Sequence, residues 1–172
     1  MSMERHGMNK REGYVLFGAG GAARAIAFGL AHKGVKSLHI INRTAEHAER
    51  LKSDLYKRFP KMEIETARPD STKAENAIKD SKYILNATNI TLENSIRTPV
   101  PPRLLDRRMI VFDANYVPLN NKLLSDAKKA GCVTINGLEL LVYNQAFAFK
   151  LFTGMEPNDK VMMEAAEKAA KG

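Results

Sequence analysis

The 172-residue chain has one cysteine, Cys132, and no tryptophan. A single cysteine excludes an intramolecular disulfide framework and a multi-cysteine zinc site, and Cys132 is expected to be a small core residue. No apolar run approaches the roughly 20 residues that a membrane-spanning helix requires. Residues 1–6 carry no apolar segment after their charges, so they do not form a secretory signal. These absences favour a cytoplasmic protein that does not enter a membrane.

Composition predicts one globular domain, because 44% of the residues are hydrophobic and 27% are charged. The 27 basic and 19 acidic residues give a net charge of +8. Such a charge is typical either of a protein that binds a polyanion or of a lysine-rich solvated surface. Because the basic residues are scattered and no nucleic-acid-binding motif accompanies them, we favour the second interpretation. The four histidines lack metal-ligand spacing, so no metal site is expected.

Short apolar runs alternate with helical patterns along the chain. Strands are expected over residues 14–17, 37–41, 62–67, 83–86, 109–113 and 132–135. Helices are expected over residues 22–32, 44–58 (capped by Thr44), 72–80, 122–130, 137–152 and 158–168 (capped by Asn158), and the proline-rich stretch 88–103 is expected to be a loop. This alternation predicts an α/β fold, a doubly wound and mainly parallel sheet of about six strands with C-terminal helices.

The strongest local motif is GAGGAAR, from Gly18 to Arg24, between a predicted strand and a predicted helix. In this context Gly18 permits a tight turn, Gly20 lets the backbone approach a pyrophosphate, and Ala23 allows close packing of helix on strand. The N-terminus of the helix offers free N–H groups to phosphate. The motif therefore predicts a dinucleotide-binding site.

The end of the second strand indicates which dinucleotide binds. An NAD site places an acidic residue there for the ribose 2′-hydroxyl. Here the strand ends in Asn42-Arg43-Thr44, without an acid. Arg43 can contact a 2′-phosphate in bidentate fashion and Thr44 can add a hydroxyl. We therefore predict NADP rather than NAD.

Five motifs follow one another along the chain: GAGGAAR from Gly18, NRT from Asn42, NAT from Asn86, DANYVP from Asp113, and GLELLVYNQAFAFKLFTG from Gly137. In this order they resemble the C-terminal, NADP-binding domain of the shikimate dehydrogenases and the related quinate/shikimate dehydrogenases, which is Rossmann-like. The resemblance extends from Tyr14 to about Pro157.

The resemblance implies three groups of cofactor-binding residues, for the diphosphate, the adenosine 2′-phosphate, and the cofactor ribose and phosphates. In that order they are Gly18, Gly20, Gly21 and Ala22; Asn42, Arg43 and Thr44; and Asn86, Ala87 and Thr88.

The resemblance also implies residues near the nicotinamide and the substrate. Tyr116 and Gly137 border both, and Gln145 matches a glutamine that reaches a substrate hydroxyl; otherwise Gln145 is a polar residue on the exposed stripe of its helix. For Asp113, fixing the loop at a strand end and binding a ligand directly remain alternatives.

Two loops near the nicotinamide depart from the family pattern. Asn89-Ile90-Thr91 replaces a serine and a nearby glycine, and Asn121 replaces a threonine. The fine geometry around the nicotinamide is therefore not predicted by the resemblance.

The family places a substrate domain, with a lysine–aspartate pair that handles the proton, before the glycine-rich strand. Only residues 1–12 precede the predicted domain at 13–172, so we expect a linker or remnant there; Lys10 and Glu12 lack the motif of the pair. No catalytic residue is therefore expected in this chain. It should bind NADP(H), need a separate substrate domain to bind a shikimate-like molecule, and catalyse poorly alone.

Two alternatives remain open. The chain could be a stand-alone NADP-binding subunit or sensor. It could also be an NADP domain for another carbonyl substrate, as in the glutamyl-tRNA reductases, whose Asn-Arg-Thr is similar; the helix with Gln145 argues against that family.

The predicted helix 137–152 carries apolar residues on more than one face. Because monomers rarely expose large apolar patches, we expect a homodimer through the C-terminal helices. In the alternative, residues 157–171 fold back and cover the patch.

Overall fold

The computed structural model describes residues 7–91 and 97–170. Within these residues six strands form one sheet in the order β3-β2-β1-β4-β5-β6, and every neighbouring pair is parallel. The strands are β1 (Tyr14–Phe17), β2 (Ser37–Ile41), β3 (Glu63–Ala67), β4 (Tyr83–Asn86), β5 (Ile110–Asp113) and β6 (Val133–Ile135). The predicted doubly wound α/β fold is confirmed.

The described part of the chain forms six α-helices, each beginning and ending within one residue of its predicted bounds. They are α1 (Gly21–His32), α2 (Ala45–Arg58), α3 (Thr72–Asp80), α4 (Lys122–Lys129), α5 (Leu138–Thr153) and α6 (Asp159–Ala169). The predicted loop also contains a short 3₁₀ turn, Pro102–Leu104, and residues 92–96 of that loop lie outside the described part.

One predicted helix cap is wrong. Thr44 occupies the N-cap position of α2, but its side chain accepts no hydrogen bond from the helix. Asn158 does cap α6 as expected, since its side chain accepts from the N–H of Val161.

The core lies on both faces of the sheet. Because side chains alternate along a strand, Tyr14 and Leu16 of β1 pack beneath α1 and α2, whereas Val15 and Phe17 pack beneath α3 and α4. Cys132 is buried on the second face, which confirms its expected place in the core.

The N-terminal segment of the described chain, residues 7–13, is bound to the amino ends of β1 and β4 by two stacked tyrosines, Tyr14 and Tyr83, whose ring centroids are 4.3 Å apart. The Tyr83 hydroxyl accepts from the N–H of Asn9 (2.8 Å) and donates to the carbonyl of Gly7 (2.9 Å). The described residues before β1 therefore pack on the end opposite the carboxyl ends of the strands.

The strand order reverses between β1 and β4, so the chain leaves these neighbours in opposite directions. In open α/β sheets ligands bind in the crevice at such a point, beyond the carboxyl ends of the strands. Among residues 7–91 and 97–170, no helix combines the length and apolarity needed to cross a bilayer.

Candidate functional site

A cleft of about 900 Å³ opens at this reversal point, above the ends of β1, β2 and β4. Of the residues predicted to bind a cofactor, it brings together Gly18, Gly20, Asn42, Arg43, Ala87 and Thr88. The other lining residues are Phe17, Ala19, Ile41, Pro69, Asn89, Ile90, Arg97, Thr98 and Pro99.

The glycine-rich turn forms the floor of the cleft. Gly18 adopts φ +105°, which side chains rarely adopt, and a β-carbon there would lie 2.9 Å from the carbonyl oxygen of Ala87. By contrast, a β-carbon at Gly20 or Gly21 would meet no atom within 4 Å. Both therefore leave open space before the first turn of α1.

The N-terminus of α1 has no side-chain cap, because Gly20 occupies the N-cap position. Its first N–H groups therefore lack partners within the helix and carry the positive end of the helix dipole. An uncapped helix start behind an open glycine turn can bind a phosphate.

Arg43 places a positive charge at the β2 side of the cleft. It is exposed, and none of the described residues forms a hydrogen bond or ion pair with its guanidinium. Its neighbour Asn42 is fixed by donation from the side-chain amide to the carbonyl of Thr44 (2.8 Å). By contrast, Arg24 lies outside the cleft and pairs with Asp54 of α2.

The described lining of the cleft includes no carboxylate, but it includes a second cation, Arg97. Arg97 belongs to the connection between β4 and β5, at a position outside every quoted motif, so it was not predicted from the sequence. Its position in the cleft depends on the fold of a loop, for which the sequence offers no periodic signal.

Buried polar residues join the ends of β4 and β5. The carboxylate of Asp113 is fully buried and accepts from Asn86 Nδ2 (3.1 Å), Thr91 Oγ1 (2.8 Å), Asn121 Nδ2 (3.0 Å) and the N–H of Asn115 (2.9 Å). Burial raises the pKa of Asp113, and the hydrogen bonds partly oppose that rise. Of the two roles considered for Asp113, the structure supports fixing the loops.

Asn86 was expected to line the cofactor, and its side chain is buried rather than among the lining residues of the cleft. Asn86 is 0% exposed, because it lies side by side with Asp113 in the register of β4 and β5. Its Oδ1 accepts from the N–H (3.0 Å) and the hydroxyl (2.7 Å) of Thr88. Asn86 therefore fixes the position of Thr88, which lines the cleft.

The two departures from the family pattern meet at this same carboxylate. Thr91 and Asn121 both donate to Oδ2 of Asp113. Asn121 also caps α4 by accepting from the N–H of Leu124 (3.1 Å). The two substituted loops are thus joined through one buried group.

The residues expected near the nicotinamide and the substrate do not line this cleft. Tyr116 and Gln145 are exposed, Gln145 on α5. Gly137 packs so closely on the preceding loop that a β-carbon there would overlap the carbonyl oxygen of Ala114. Ala22 and Thr44 are exposed beside the cleft but are not among its lining residues.

The chemistry of the described lining is that of binding. It contains arginine, asparagine and threonine as its polar side chains, and no lysine, histidine, cysteine, tyrosine or carboxylate. A proton donor for catalysis at neutral pH needs a group that titrates near that pH, and the described lining residues include no such group. Within residues 7–91 and 97–170 no cluster of possible metal ligands occurs either.

A wholly parallel sheet with a glycine turn at its reversal point, an uncapped helix start and a basic side chain after β2 defines a Rossmann-like dinucleotide-binding domain. The family model described as shikimate / quinate 5-dehydrogenase matches residues 3–113. The chain belongs to this family.

The shikimate dehydrogenase (NADP(+)) of Symbiobacterium thermophilum is 36% identical over 175 residues, spanning 100% of this chain and 60% of that protein. A shikimate dehydrogenase solved in complex with NADP+ is 37% identical with a TM-score of 0.88, covering 98% of this chain and 58% of that one. The quinate dehydrogenase from Corynebacterium glutamicum in complex with NAD is 26% identical with a TM-score of 0.87, covering 95% and 57%. The chain therefore spans about three fifths of the length of these relatives.

Proposed function

We propose that this chain is the NADP(H)-binding domain of a shikimate dehydrogenase-type oxidoreductase. The observation that carries the proposal is Arg43 at the end of β2, in a cleft whose described lining holds no carboxylate. A 2′-phosphate would meet a cation there and, among the described lining residues, no repelling acid. Since one similar structure contains NADP+ and another NAD, the side chains after β2 decide the cofactor better than the family does.

The remaining parts of the cleft fit a dinucleotide. Gly20 and Gly21 leave open the space that a diphosphate needs, and the start of α1 supplies N–H groups. Asn42 lines the cleft next to Arg43 at the adenosine end, with Ala87 and Thr88 across the glycine turn. Thr44 is exposed beside the cleft, next to Arg43 in the chain. When bound, the cofactor supplies or accepts a hydride.

In the complete enzyme the reaction would be reversible hydride transfer from NADPH to 3-dehydroshikimate, giving shikimate and NADP. The names of the relatives support this substrate. The predicted roles of Tyr116, Gly137 and Gln145 toward the nicotinamide and substrate belong to that complete enzyme. Because the described cleft has no titratable proton donor, the proton must come from residues beyond it.

Calorimetric titration of the chain with NADP and with NAD tests the proposal. We expect the chain to bind NADP more tightly than NAD. This preference should become smaller as the salt concentration rises, because the contact with the 2′-phosphate is ionic. Equal affinity for the two nucleotides would contradict the assignment.

A stand-alone NADP-binding subunit or sensor is the second candidate. The same lack of a proton donor in the described cleft favours it, since such a subunit needs affinity without catalysis. Adding a separately produced substrate domain from a relative distinguishes the two. Restored shikimate oxidation supports the dehydrogenase, and unchanged NADP binding without activity supports the subunit.

We also propose that the chain forms a homodimer through α5 and α6. Helix α6 packs along α5, yet Phe152 remains 85% exposed and Phe147 and Leu151 each 70%, and α6 buries none of its own residues. Helix α6 therefore lies against α5 but leaves Phe147, Leu151 and Phe152 exposed. Light scattering at several concentrations should show a dimer that Phe152→Glu weakens; a strictly monomeric wild-type chain would contradict it.

The cytoplasmic location expected from the sequence remains a proposal. The single thiol, Cys132, is buried and unpaired with another cysteine, which fits a reducing compartment. Cell fractionation tests it, and recovery outside the cytoplasmic fraction would contradict it.

A further inference from the structure

This inference rests on the proposed function, in which the cleft binds a dinucleotide. The order of the strands then gives the two sides of the cleft different roles. Strands β2 and β4 flank β1 on opposite sides. If the diphosphate lies over the glycine turn after β1 and the adenosine 2′-phosphate at Arg43 after β2, the nicotinamide riboside half extends over β4. Thr88 follows β4 and lines the cleft there.

The amide of Asn86 has only one possible orientation. On one side it faces the N–H of Thr88, which can only donate (3.0 Å). On the other it faces Oδ2 of Asp113, at 3.1 Å. If that carboxylate accepts, Oδ1 of Asn86 must point to Thr88 and Nδ2 to Asp113.

The neighbours of Asp113 require it to accept. Oδ1 of Asn121 is occupied by the N–H of Leu124, so its Nδ2 faces Asp113. Thr91 Oγ1 receives amide N–H groups from Asn86 (3.2 Å) and Asn115 (2.7 Å), so its proton goes to Asp113. The backbone N–H of Asn115 is a donor by nature. The Asp113 carboxylate is therefore the acceptor in all four of these hydrogen bonds.

Because Nδ2 of Asn86 donates to Asp113, Oδ1 of Asn86 is the atom that faces Thr88 and accepts from it. The hydroxyl of Thr88 donates to Asn86 Oδ1 (2.7 Å), and its carbonyl accepts from Asn115 Nδ2 (2.8 Å). A long contact from the N–H of Ile90 (3.4 Å) uses one hydroxyl lone pair. What the hydroxyl retains for a ligand is a lone pair, because its proton is already committed.

We infer that Asp113, acting through Asn86, fixes Thr88 as a hydrogen-bond acceptor for the nicotinamide riboside half of the cofactor. Thr88 then takes a donor, either a hydroxyl of that ribose or the carboxamide N–H, and not a phosphate oxygen. Asp113 is a positioning residue, since it is fully buried and reaches the ligand only through its neighbours.

Titration calorimetry with three probes tests this role. NADP contains the nicotinamide riboside, 2′-phospho-ADP-ribose retains its ribose without the nicotinamide, and 2′,5′-ADP lacks both. Thr88→Val removes the acceptor at nearly constant volume, and Thr88→Ser is the conservative control that restores it. Asp113→Asn places an amide N–H against one of the surrounding donors and should disturb the orientation of Asn86.

We expect Thr88→Val to weaken NADP binding about fivefold, the size of one neutral hydrogen bond. Its affinity for 2′,5′-ADP should not change, and Thr88→Ser should bind all three probes like the wild type. Asp113→Asn should reproduce the loss for NADP; if it does not fold, the two Thr88 variants decide. A loss shared by 2′-phospho-ADP-ribose assigns the ribose hydroxyl as donor, and a loss confined to NADP assigns the carboxamide.

Two results would overturn the inference. The first is unchanged NADP affinity in Thr88→Val, and the second is an equal loss for 2′,5′-ADP, which would place Thr88 on the adenosine or phosphate side. Failure of the wild type to bind 2′,5′-ADP would instead refute the proposed function.

Discussion

Gly18 and Ala87 touch through their backbones, because the α-carbon of Gly18 faces the carbonyl of Ala87 with no room for a β-carbon between them. The turn after β1 is thereby joined to the segment that follows β4. This contact forms the floor of the cleft, and it distinguishes the roles of two glycines in one motif.

Gly18→Ala should destabilise the fold by about 2 kcal/mol, from positive φ and from crowding against Ala87. Gly20→Ala is the matched control, since residue 20 has φ −81° and an added β-carbon meets nothing. It should leave the free energy of unfolding nearly unchanged but weaken NADP binding by filling the diphosphate space. Urea unfolding measures the stability of each variant, and calorimetry measures its affinity for NADP. If Gly20→Ala lost as much stability as Gly18→Ala, the assignment of a structural role to Gly18 and a binding role to Gly20 would be contradicted.

Tyr83→Phe should release the N-terminal segment. Its hydroxyl makes two hydrogen bonds to that segment, at Asn9 and Gly7, so we expect a loss of about 1–2 kcal/mol. Hydrogen exchange at the amide of Asn9 should accelerate. Tyr56→Phe is the control, because Tyr56 is 59% exposed. Unchanged protection of Asn9 in Tyr83→Phe would show that the segment is held by other contacts.

Asp113 should give the stability a distinct pH dependence. Burial raises its pKa in the folded state, so the folded chain binds this proton more strongly than the unfolded one. Its contribution to stability therefore falls as pH rises from the usual aspartate pKa through the raised one, and is constant above it.

Comparison with Asp113→Asn isolates this contribution. The lowered pKa values of exposed carboxyls such as Asp54 and Glu75, which pair with Arg24 and Arg103, act in the opposite direction but are common to both proteins. The difference in unfolding free energy should shift in favour of Asp113→Asn as pH rises above the ordinary aspartate pKa of about 4. A difference that is flat, or that shifts toward the wild type, would contradict the raised pKa.

Most of the fold was predictable, because buried parallel strands are continuous apolar runs and the helices between them are amphipathic. Tyr14–Phe17 shows this well, since all four residues of that strand are apolar and buried. The phosphate-binding turn was equally predictable, because its glycines carry a backbone requirement that is visible in sequence.

The polar network was not predictable. Asn86 and Asp113 are 27 residues apart, and only the register of β4 and β5 brings them together. The place of Arg97 in the cleft depends in the same way on the path of a loop. Local patterns predict local elements, but they do not predict which strand-end side chains become neighbours.

The chain alone should not turn over shikimate at a measurable rate. The described lining of the cleft has no group to accept the hydroxyl proton, so hydride transfer lacks its acid–base partner. Following NADPH absorbance with shikimate and NADP checks this. Turnover on the order of 10 per second, a typical enzyme value, would show that catalytic groups lie within this chain after all.

Titration of Arg43→Ala with NADP and with NAD tests most directly whether Arg43 selects the 2′-phosphate. Arg24→Ala is the matched control, because Arg24 is also basic and near the glycine turn but pairs with Asp54 outside the cleft. Arg43→Ala should weaken NADP by about 1.5–3 kcal/mol, the size of a hydrogen bond to a charged group, and leave NAD almost unchanged. Arg24→Ala should still bind NADP more tightly than NAD. An equal loss for both nucleotides in Arg43→Ala, or no loss for either, would contradict the assignment of the cleft to NADP.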